Sequence, residues 1–498
     1  MRIAILLPMV WSVRNVVHSG VLRTLAESGV EAHLIMPGWE GVAGRAEARL
    51  FDDAAGCHPL LDVARRAPRG KALLDAVLSS AFHHRYGNRS QPIYRRWFSR
   101  HDGPWLQARA AFVQLTRWLG ASRRAVAWLE QTTDRLARHA RDLEPVRRQL
   151  RTINPDLIWS TVNISSLEQP YRFAARDLGI PIATSILSFD NLTSRGPLPR
   201  DDYYMVWGSS MKAHLARFYP EIDEQRMFVT GTPQFDFHRR PACLWPRERT
   251  LVALALPPRS RYFLYGASHA MLTPEEPLLV SQLATQMARH PVLHRHVLVV
   301  RLHPLDDPGR WAALVRDHPG VRLSAPFDNT SAVDGWALPS ADDYARLTSS
   351  LIHADGCVNI ASTISLDAAI VDRPVICVDF TTEPDCPRDL LFAEYGTEHY
   401  APLVASGGLR LARNWSELLD LMETAILDPS RDRERRARMV AVECGPVDGR
   451  AAQRVAQTLI QLARESRRAR RGAGAEEVTV TIADGVDVVG AAQGGGTR

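Results

Sequence analysis

Short apolar runs alternate with helical patterns along most of this chain. An apolar run opens it at residues 2–8, and a second run at 30–36 follows a helical stretch from about Ser19 to Ser28. Runs of this length are typical of strands buried in a parallel sheet. The order strand, helix, strand therefore predicts the start of a doubly wound α/β sheet. The same series continues with predicted strands at residues 154–160, 180–186, 203–207 and 226–230.

A second series follows a break at residues 237–260, which hold four prolines and few periodic positions, as a linker does. Its predicted strands lie at residues 262–265, 297–302, the end of 349–360, and 375–380. This restart predicts two Rossmann-like α/β domains, 1–236 and 261–471, that face each other across a cleft. The last predicted helix, 451–464, is the element that could cross back to the first domain.

Two segments do not follow this alternation of strands and helices. Residues 60–150 show helical patterns without a convincing strand, which predicts a helical insertion within the first domain. Between residues 87 and 150, thirteen arginines stand against five acidic residues. Such a basic segment favours either a solvated helix face, the plainer interpretation, or peripheral contact with an anionic membrane surface. The Gly-rich end, 472–498, predicts a disordered tail.

Composition and motifs exclude several classes of protein. The 498 residues contain no apolar run near the roughly 20 residues of a membrane helix, and no signal-peptide pattern, so we expect a cytoplasmic protein. The six cysteines are scattered without a CxxC pair, which argues against a zinc site and a disulfide framework. No P-loop, GxGxxG, HExxH or GxSxG string occurs in a supporting context.

The strongest candidate for chemistry follows the predicted strand that ends near residue 360. Ser362 or Thr363 would cap the next helix, whose free backbone N–H groups and positive end suit a phosphate. Asp367, about one turn into that helix, could accept hydrogen bonds from ribose hydroxyls. The plainer alternative is an ordinary helix cap in which Asp367 stabilises the helix dipole.

Two more strand ends of the second domain carry candidate donor-binding residues. Arg301 and His303 end an apolar strand on one side of the sheet, and Arg301 can bind phosphate oxygens through two nitrogens. After the first strand of this domain, Gly266 would let a ligand approach the backbone, beside Ser268 and His269. The alternatives are a capped strand end and a plain turn.

The first domain offers candidates for catalysis and acceptor binding. In the loop after the strand at 180–186, Asp190 is a candidate general base and Arg195 a candidate anion contact, with an Asx turn as the alternative. His18, just after the first strand, is the rival base. Neighbouring loop residues complete the predicted acceptor side: Asn191, Thr193, Gly231 and Thr232.

Five short strings together resemble the GT-B transferases of surface-polysaccharide synthesis. That group includes sugar transferases and the CDP-glycerol glycerophosphotransferases of capsule and teichoic-acid synthesis. The resemblance covers residues 1–50 and about 154–462, and it leaves out the helical insertion and the tail. The strings are SFDNLT at 188–193, VTGTP at 229–233, RLHP at 301–304, AST with DAA at 361–369, and DGRA at 448–451.

The resemblance implies a nucleotide-activated donor as substrate, held mainly by the second domain, and a glycan acceptor held by the first. The implied partners are a nucleotide sugar or CDP-glycerol, with no nucleic acid and no cofactor. It implies no metal bound by a DxD motif, since helix ends and basic residues neutralise the leaving diphosphate. Many GT-B enzymes place a Glu in the nucleotide-binding helix where this chain has Asp367, which leaves sugar and base open.

Three alternatives to a sugar transferase stay open. The first is a CDP-glycerol-type transferase. The non-hydrolysing UDP-sugar 2-epimerases share the fold and a Thr-Gly turn, but they carry Ser-Gly-Gly-x-x-Glu-Glu where this chain has STISLD at 362–367. The third is a binding protein of GT-B type without catalysis.

Overall fold

Two separate parallel sheets organise the molecule. The computed structural model describes residues 1–44, 46–63, 68, 70–90, 103–268, 270, 273–304, 306–327, 332–333, 336–337, 339–381 and 393–486. The first sheet has seven strands in the order β3-β2-β1-β4-β5-β6-β7. Its strands are β1 Arg2–Leu6, β2 Glu31–Met36, β3 Gly56–Pro59, β4 Leu157–Ser160, β5 Ile182–Ser185, β6 Tyr203–Val206 and β7 Met227–Val229.

The second sheet has six strands in the order β10-β9-β8-β13-β14-β15, beside a two-stranded antiparallel ribbon of β11 and β12. Its bounds are β8 Arg261–Gly266, β9 His296–Arg301, β10 Val321–Ser324, β13 Cys357–Asn359, β14 Val375–Val378 and β15 Arg410–Ala412, with β11 Ala332–Val333 and β12 Trp336–Ala337. In both sheets the chain runs outward from a central first strand and then switches direction, which is the doubly wound Rossmann order. The predicted fold class is therefore confirmed.

Helices cover both faces of each sheet. In the first half they are α1 Val10–Val13, α2 Val21–Glu27, α3 Trp39–Val42, α4 Lys71–Arg85, α5 Pro104–Leu115, α6 Arg123–His139, α7 Glu144–Ile153, α8 Gln169–Leu178, α9 Asn191–Ser194 and α10 Ser209–Phe218. In the second half they are α11 Arg247–Ala253, α12 Glu276–Arg289, α13 Ala312–Asp317, α14 Ala341–His353, α15 Ile364–Ile370, α16 Ala401–Ser406, α17 Trp415–Leu427, α18 Arg433–Glu443 and α19 Ala451–Val486. A π-helical turn, Arg14–His18, and short 3-10 helices, among them Thr116–Ala121, Pro233–Arg239 and Pro241–Cys243, complete the connections.

The last helix returns to the first sheet. Val455 and Leu459 of α19 are buried with Ile3 and Ile5 of β1 in one apolar cluster. At the start of α19, the carboxylate of Asp236 accepts hydrogen bonds from the backbone N–H groups of residues 451 and 452 at 3.0 and 2.8 Å. A carboxylate at this position stabilises both the free N–H groups and the helix dipole. The helix lies within the predicted second domain, 261–471, and packs on the first domain, as the sequence analysis allowed for this element.

Helix α19 also extends further than the sequence predicted. It runs to Val486, into the range 472–498 where a disordered tail was expected. Elongating an existing helix needs no new nucleus, so local composition is a weak guide to where a long helix ends. Residues 487–498 lie outside the described part of the chain, so the prediction of disorder there stays a prediction.

The segment 60–150 is helical where the structure describes it, but not all of it is an insertion. Helices α4, α5 and α6 stand apart from the alternation of strands and helices. Helix α7 belongs to the first sheet, since Val146 and Leu150 pack with Ile158 and Ile182. The sequence also missed β3, which has four half-buried residues at the sheet edge and therefore no alternating apolar pattern.

The predicted linker, 237–260, is structured. Phe237 and Trp245 are buried in a cluster with Tyr344 and Ala345 of α14. Two of its four prolines stand at helix starts: Pro241 lies in the first turn of a 3-10 helix and Pro246 caps α11. Proline is tolerated at these positions because the first N–H groups of a helix need no partner inside it. Proline content therefore marked helix starts here and not a loose connection.

Candidate functional site

Two adjoining cavities lie between the sheets, beyond the carboxyl ends of β1, β8, β9 and β13. They hold about 190 and 160 Å³ and share part of their lining, so we treat them together as the cleft cavity. Both domains contribute to it, which is where doubly wound folds place ligands. The residues that line both parts are Trp11, Arg14, Tyr344, Leu347, Thr363 and Asp367.

Most of the predicted donor-binding residues meet in this cavity. The strand register explains why: Gly266, the last residue of β8, pairs with Arg301 on one side and Asn359 on the other. Parallel strands present their carboxyl ends at one edge of the sheet, so side chains distant in sequence become neighbours. The predicted residues that line the cavity are Gly266, Arg301, His303, Ser362, Thr363 and Asp367.

Gly266 has a packing role as well as a position at the cavity. A Cβ atom there would lie 2.6 Å from the Cγ2 atom of Ile364, the first residue of α15. The missing side chain therefore lets α15 approach the strand end closely, as small residues do in dinucleotide folds. The sequence analysis had explained this glycine only by the close approach of a ligand to the backbone.

Ser268 faces the protein interior and does not line the cavity. Its backbone N–H donates to both carboxylate oxygens of Glu276, at 3.1 and 2.9 Å, and its hydroxyl donates to the carbonyl of Ile360 at 3.4 Å. Glu276 itself is fully buried, and burial raises its pKa to about 7. Ser268 thus stabilises the loop after β8. His269, predicted beside it, lies outside the described residues.

Arg301 is a buried cation at the cavity wall. Its guanidinium donates to the hydroxyl of Ser324 at 3.3 Å and to the carbonyl of Pro326 at 3.0 Å. No carboxylate of the described chain lies within ion-pair distance of it, although Asp343 is near enough to act on its charge. Burial, followed by the charge of Arg346, lowers its pKa to about 10, so the side chain is still charged at neutral pH. A buried charge in this state favours an anionic ligand.

Arg14, from the first domain, faces the same cavity and was missed by the sequence analysis. Its guanidinium contacts the amide oxygens of Asn15, at 3.0 Å, and of Gln234. Burial lowers its pKa, and the nearby Tyr344 and Asp367 only partly offset that effect. Within the described ranges it forms no ion pair with a carboxylate. The sequence signal that could have identified Arg14 was its position in the turn after the first strand, because this turn lies at the carboxyl edge of the sheet.

Asp367 is held by a hydrogen-bond chain that starts in the segment joining the two domains. Nε2 of His238 lies 2.7 Å from Oδ1 of Asp367, and Nδ1 of the same ring lies 3.1 Å from the hydroxyl oxygen of Thr348. The His238 side chain is 2 % exposed and that of Asp367 is 18 % exposed. Both ring nitrogens of His238 are occupied, so it orients Asp367 and leaves the second carboxylate oxygen to the cavity. His238 stands in the predicted linker, where no candidate was named.

The turn before α15 presents Ser362 and Thr363. Ala361 has a φ of 37°, a left-handed value that costs a residue with a side chain free energy. The turn is held by the amide of Asn359, whose Oδ1 accepts from the Ser362 N–H at 3.1 Å and the Ser365 hydroxyl at 3.0 Å. Thr363 is the N-cap of α15, yet its side chain makes no cap hydrogen bond. Its hydroxyl is therefore available to the cavity that it lines.

The loop with Asp190 does not bring its predicted residues to the cavity. The carboxylate of Asp190 accepts hydrogen bonds from the Ser194 hydroxyl at 2.7 Å and from the Asn191 amide at 3.3 Å. Burial acts to raise its pKa, but the charge of His399 and hydrogen bonds from its own loop lower it overall. Asp190 thus closes a turn, which is the alternative that the sequence left open. Ser188 of this loop does line the cavity.

The acceptor residues around Asp190 serve contacts within the protein. The Thr193 hydroxyl lies 2.8 Å from Nδ1 of His399, a contact between the domains. Asn191 accepts from the Ser188 N–H at 3.2 Å. The side chain of Arg195 is exposed and absent from the cavity lining.

The remaining first-domain candidates are also absent from the cavity lining. The ring of His18 packs 5.3 Å from that of Tyr344, and burial lowers its pKa. Its carbonyl accepts from Arg240 at 2.6 Å, so this turn ties the domains together. Gly231, with a φ of 74°, approaches Ala451 of α19, and the buried Thr232 begins the next 3-10 helix. These two residues position the last helix.

The described residues contain no cluster of three or more side chains able to hold a metal ion. No described helix combines the length and the apolar composition needed to cross a bilayer.

Two Rossmann-like sheets across a cleft, with a last helix that returns to the first sheet, define the GT-B fold. The chain is similar to UDP-GlcNAc 2-epimerase from Neisseria meningitidis bound to UDP-GlcNAc, with 12% identity, a TM-score of 0.50, and coverage of 93% of this chain and 100% of that chain. A second UDP-N-acetylglucosamine 2-epimerase gives 10% identity, a TM-score of 0.50, and coverage of 92% and 95%.

CalG4, the calicheamicin glycosyltransferase, covers 93% of this chain and 98% of its own at 12% identity and a TM-score of 0.45. At these identities the likeness to the epimerases establishes the fold alone. No protein-family model matches the chain, and no curated protein sequence matches it.

Proposed function

We propose that this chain is a glycosyltransferase that moves a sugar from a nucleotide-activated donor to a glycan acceptor. One observation carries the proposal: Arg14 and Arg301, from opposite domains, face one cavity, and no carboxylate of the described residues forms an ion pair with either, although Asp343 and Asp367 also line it. Leaving a cation buried without an anion is unfavourable, and a diphosphate supplies the missing charge. The turn at Ser362 and Thr363 borders the same space.

In the transfer, the bond between the sugar carbon and the diphosphate oxygen breaks, and its electron pair leaves on the diphosphate. Negative charge therefore grows where Arg14, Arg301 and the Thr363 hydroxyl converge. Donors held in place before the reaction lower the barrier because they need no reorganisation as the charge develops. The acceptor hydroxyl attacks the same carbon, and its proton passes to the departing diphosphate, directly or through water, as the new glycosidic bond forms.

Asp367 is proposed to bind the donor nucleoside. Its Oδ1 is engaged by His238, so Oδ2 can accept hydrogen bonds from ribose hydroxyls. Asp190, the predicted base, is left out of the mechanism because its carboxylate is engaged within its own loop.

Epimerisation of a UDP-sugar is the second candidate, and the two structural neighbours at a TM-score of 0.50 favour it. It uses the same diphosphate site and differs in its product. An assay of the purified parent protein separates the two candidates. The protein is incubated with UDP-, GDP-, ADP-, dTDP- and CDP-sugars and with CDP-glycerol. Released nucleotide identifies a transferase by its slow hydrolysis of the donor, whereas a changed sugar configuration in NMR spectra identifies an epimerase.

Arg301→Ala and Thr363→Ala should each lower kcat/KM by about two orders of magnitude, since each removes a donor aimed at the developing charge. Arg413→Ala is the matched control, because Arg413 is an exposed arginine just after β15 of the same sheet and away from the cavity. If the protein binds nucleotide but turns over no donor, the result would support the third alternative, a GT-B-type binding protein without catalysis. Full activity in both cavity variants would contradict the assigned site.

A further inference from the structure

Helix α5 of the insertion turns its apolar stripe toward solvent. At 100° per residue, Trp105, Phe112 and Leu115 fall within one narrow face, and they are 74 %, 50 % and 74 % exposed. The buried residue of this helix is Val113. Helices of globular proteins normally place such a stripe against the core. The apolar face of this helix is instead available to a partner outside the fold.

The exposed surface continues past the end of α5. Trp118, in the following 3-10 helix, is 62 % exposed, and Trp128 in α6 is 60 % exposed. Among the described residues, every exposed tryptophan or phenylalanine lies between positions 105 and 128. We call Trp105, Phe112, Leu115, Trp118 and Trp128 the aromatic patch. These side chains lie on three consecutive elements that contact one another through the 3-10 helix, and exposed apolar side chains concentrated in this way mark an interaction site.

Basic residues accompany the patch without acidic ones. From residue 103 to 129 the chain has four arginines, Arg109, Arg117, Arg123 and Arg124, and neither Asp nor Glu. Tryptophan combines an apolar body with a polar N–H group, and arginine places a charged head beyond an apolar stem. Together they match a surface whose outer layer is anionic and whose inner layer is apolar.

A basic cavity of about 300 Å³ lies beside the patch. Its lining includes His84, Arg89 and Arg117 and no carboxylate, although Arg89 also reaches Glu398 at 3.6 Å. The guanidinium of Arg117 lies 5.1 Å over the ring of Trp118, and the ring of His84 is 4.7 Å from the same tryptophan. An anion bound in this cavity would therefore sit next to the apolar patch, as a phosphate does above its acyl chains.

We propose that the insertion docks the protein on a bilayer that contains anionic phospholipid. The aromatic patch enters the boundary between headgroups and acyl chains, the arginines contact headgroup phosphates, and the basic cavity takes one headgroup. A surface helix with one apolar face and basic neighbours lies in the plane of a membrane in this way. The adjacent charge distinguishes this occupant from a second copy of the chain, because the same basic patch on two copies would repel.

Vesicle flotation of the full chain tests the proposal. The parent protein should float with phosphatidylcholine vesicles that contain about 30% phosphatidylglycerol, and much less with phosphatidylcholine alone. Trp105→Ser/Trp118→Ser/Trp128→Ser should reduce the bound fraction about tenfold, because apolar burial holds the protein on the surface. Val252→Ser/Leu427→Ser is the control, since it removes two side chains that are 77 % and 74 % exposed elsewhere.

The charge contribution is tested separately. Arg123→Gln and Arg124→Gln should each weaken partition into the anionic vesicles about fivefold and leave partition into neutral vesicles unchanged. Equal recovery with and without the anionic lipid would overturn the proposal. So would undiminished flotation of the tryptophan variant, or a parent dimer in light scattering that this variant turns into a monomer.

Discussion

Two arginines are buried to a similar degree in the two domains, but they differ in their partners. The side chain of Arg172 in α8 is 3 % exposed and lies 3.0 Å from Glu168 and 2.9 Å from Asp201. Arg301 at the end of β9 is 8 % exposed and bonds to a hydroxyl and a carbonyl oxygen. The first arginine thus has its anions within the fold, and the second does not.

Their pKa values move in opposite directions for this reason. Burial acts to lower the pKa of both, but the carboxylates of Asp201 and Glu168 raise that of Arg172 overall. For Arg301 burial prevails. Arg172 therefore belongs to a structural ion-pair network, whereas Arg301, whose charge Asp343 offsets only in part, is the arginine for which we propose an anionic ligand. At similar burial, this contrast is the basis for assigning a folding role to Arg172 and proposing a binding role for Arg301.

The largest expected effect is on stability at Arg172. Arg172→Met leaves two buried carboxylates without their cation, which should lower the free energy of unfolding by about 3–5 kcal/mol. Thermal unfolding measures the change. Arg176→Met on the same helix is the control, and its half-exposed ion pair with Asp134 should cost less than about 1 kcal/mol. Equal melting temperatures for the two variants would show that the buried network does not stabilise the fold.

The next effect separates binding from stability at Arg301. Arg301→Met removes a buried charge without exposing a partner charge, so its melting temperature should stay within about 2 °C of the parent. Saturating nucleoside diphosphate, at about 100 times Kd, should stabilise the parent by about 2.7 kcal/mol. The variant should show at least about tenfold weaker affinity, since a charged hydrogen bond is lost. Differential scanning fluorimetry with and without UDP measures both quantities.

A strong loss of stability in Arg301→Met, comparable with that of Arg172→Met, would remove the contrast. It would mean that Arg301 is structural in the same sense as Arg172. An unchanged response to UDP would equally place the diphosphate elsewhere.

The smallest expected effect concerns Glu443, a buried acid that, like Arg301, forms no ion pair among the described residues. Glu443 at the end of α18 is buried, and no cation of the described residues forms an ion pair with it; burial raises its pKa to about 7, against hydrogen bonding from Ser210. A carboxylate can take up a proton where an arginine cannot. Between about pH 4.5 and 7 the folded protein holds a proton that the unfolded chain has released, so stability falls as pH rises through this window.

Glu443→Gln removes that titration. Relative to the parent it should gain stability of the order of 1 kcal/mol between about pH 5 and 8. Melting temperatures across this range measure the difference. Glu434→Gln on the same helix, where the side chain is 91 % exposed, should show no such trend. A difference between Glu443→Gln and the parent that does not vary with pH would contradict the shifted pKa.

The central strands could be predicted because their apolar pattern is local. Residues 3–6 of β1 and 297–300 of β9 are short apolar runs, and such runs specify buried parallel strands directly. The edge strand β3 has no such run, so it was missed. The sequence indicated that the last helix could cross back to the first domain but not how it is anchored, since Asp236 bonds to residues more than two hundred positions away.

The donor side of the cavity was predictable for a related reason. Gly266, Arg301 and Thr363 follow strands whose carboxyl ends must share one edge once the sheet is parallel. These residues lie close together because the sheet is parallel. The alternating strand and helix patterns of the sequence predicted that parallel sheet. The roles assigned to these residues are proposals that the variants above test.

The other wall depended on how the two domains meet. His238 reaches Asp367 across 129 positions, and Arg14 reaches the cavity only because the turn after β1 faces the second sheet. Asp190 had the residue type of a base, but its own loop and His399 engage it. Local periodicity thus determined the central strands, the doubly wound fold class and the strand ends that line one wall of the cavity. Contacts between the domains, which no local pattern encodes, decided which polar side chains face the cavity and which stabilise the protein.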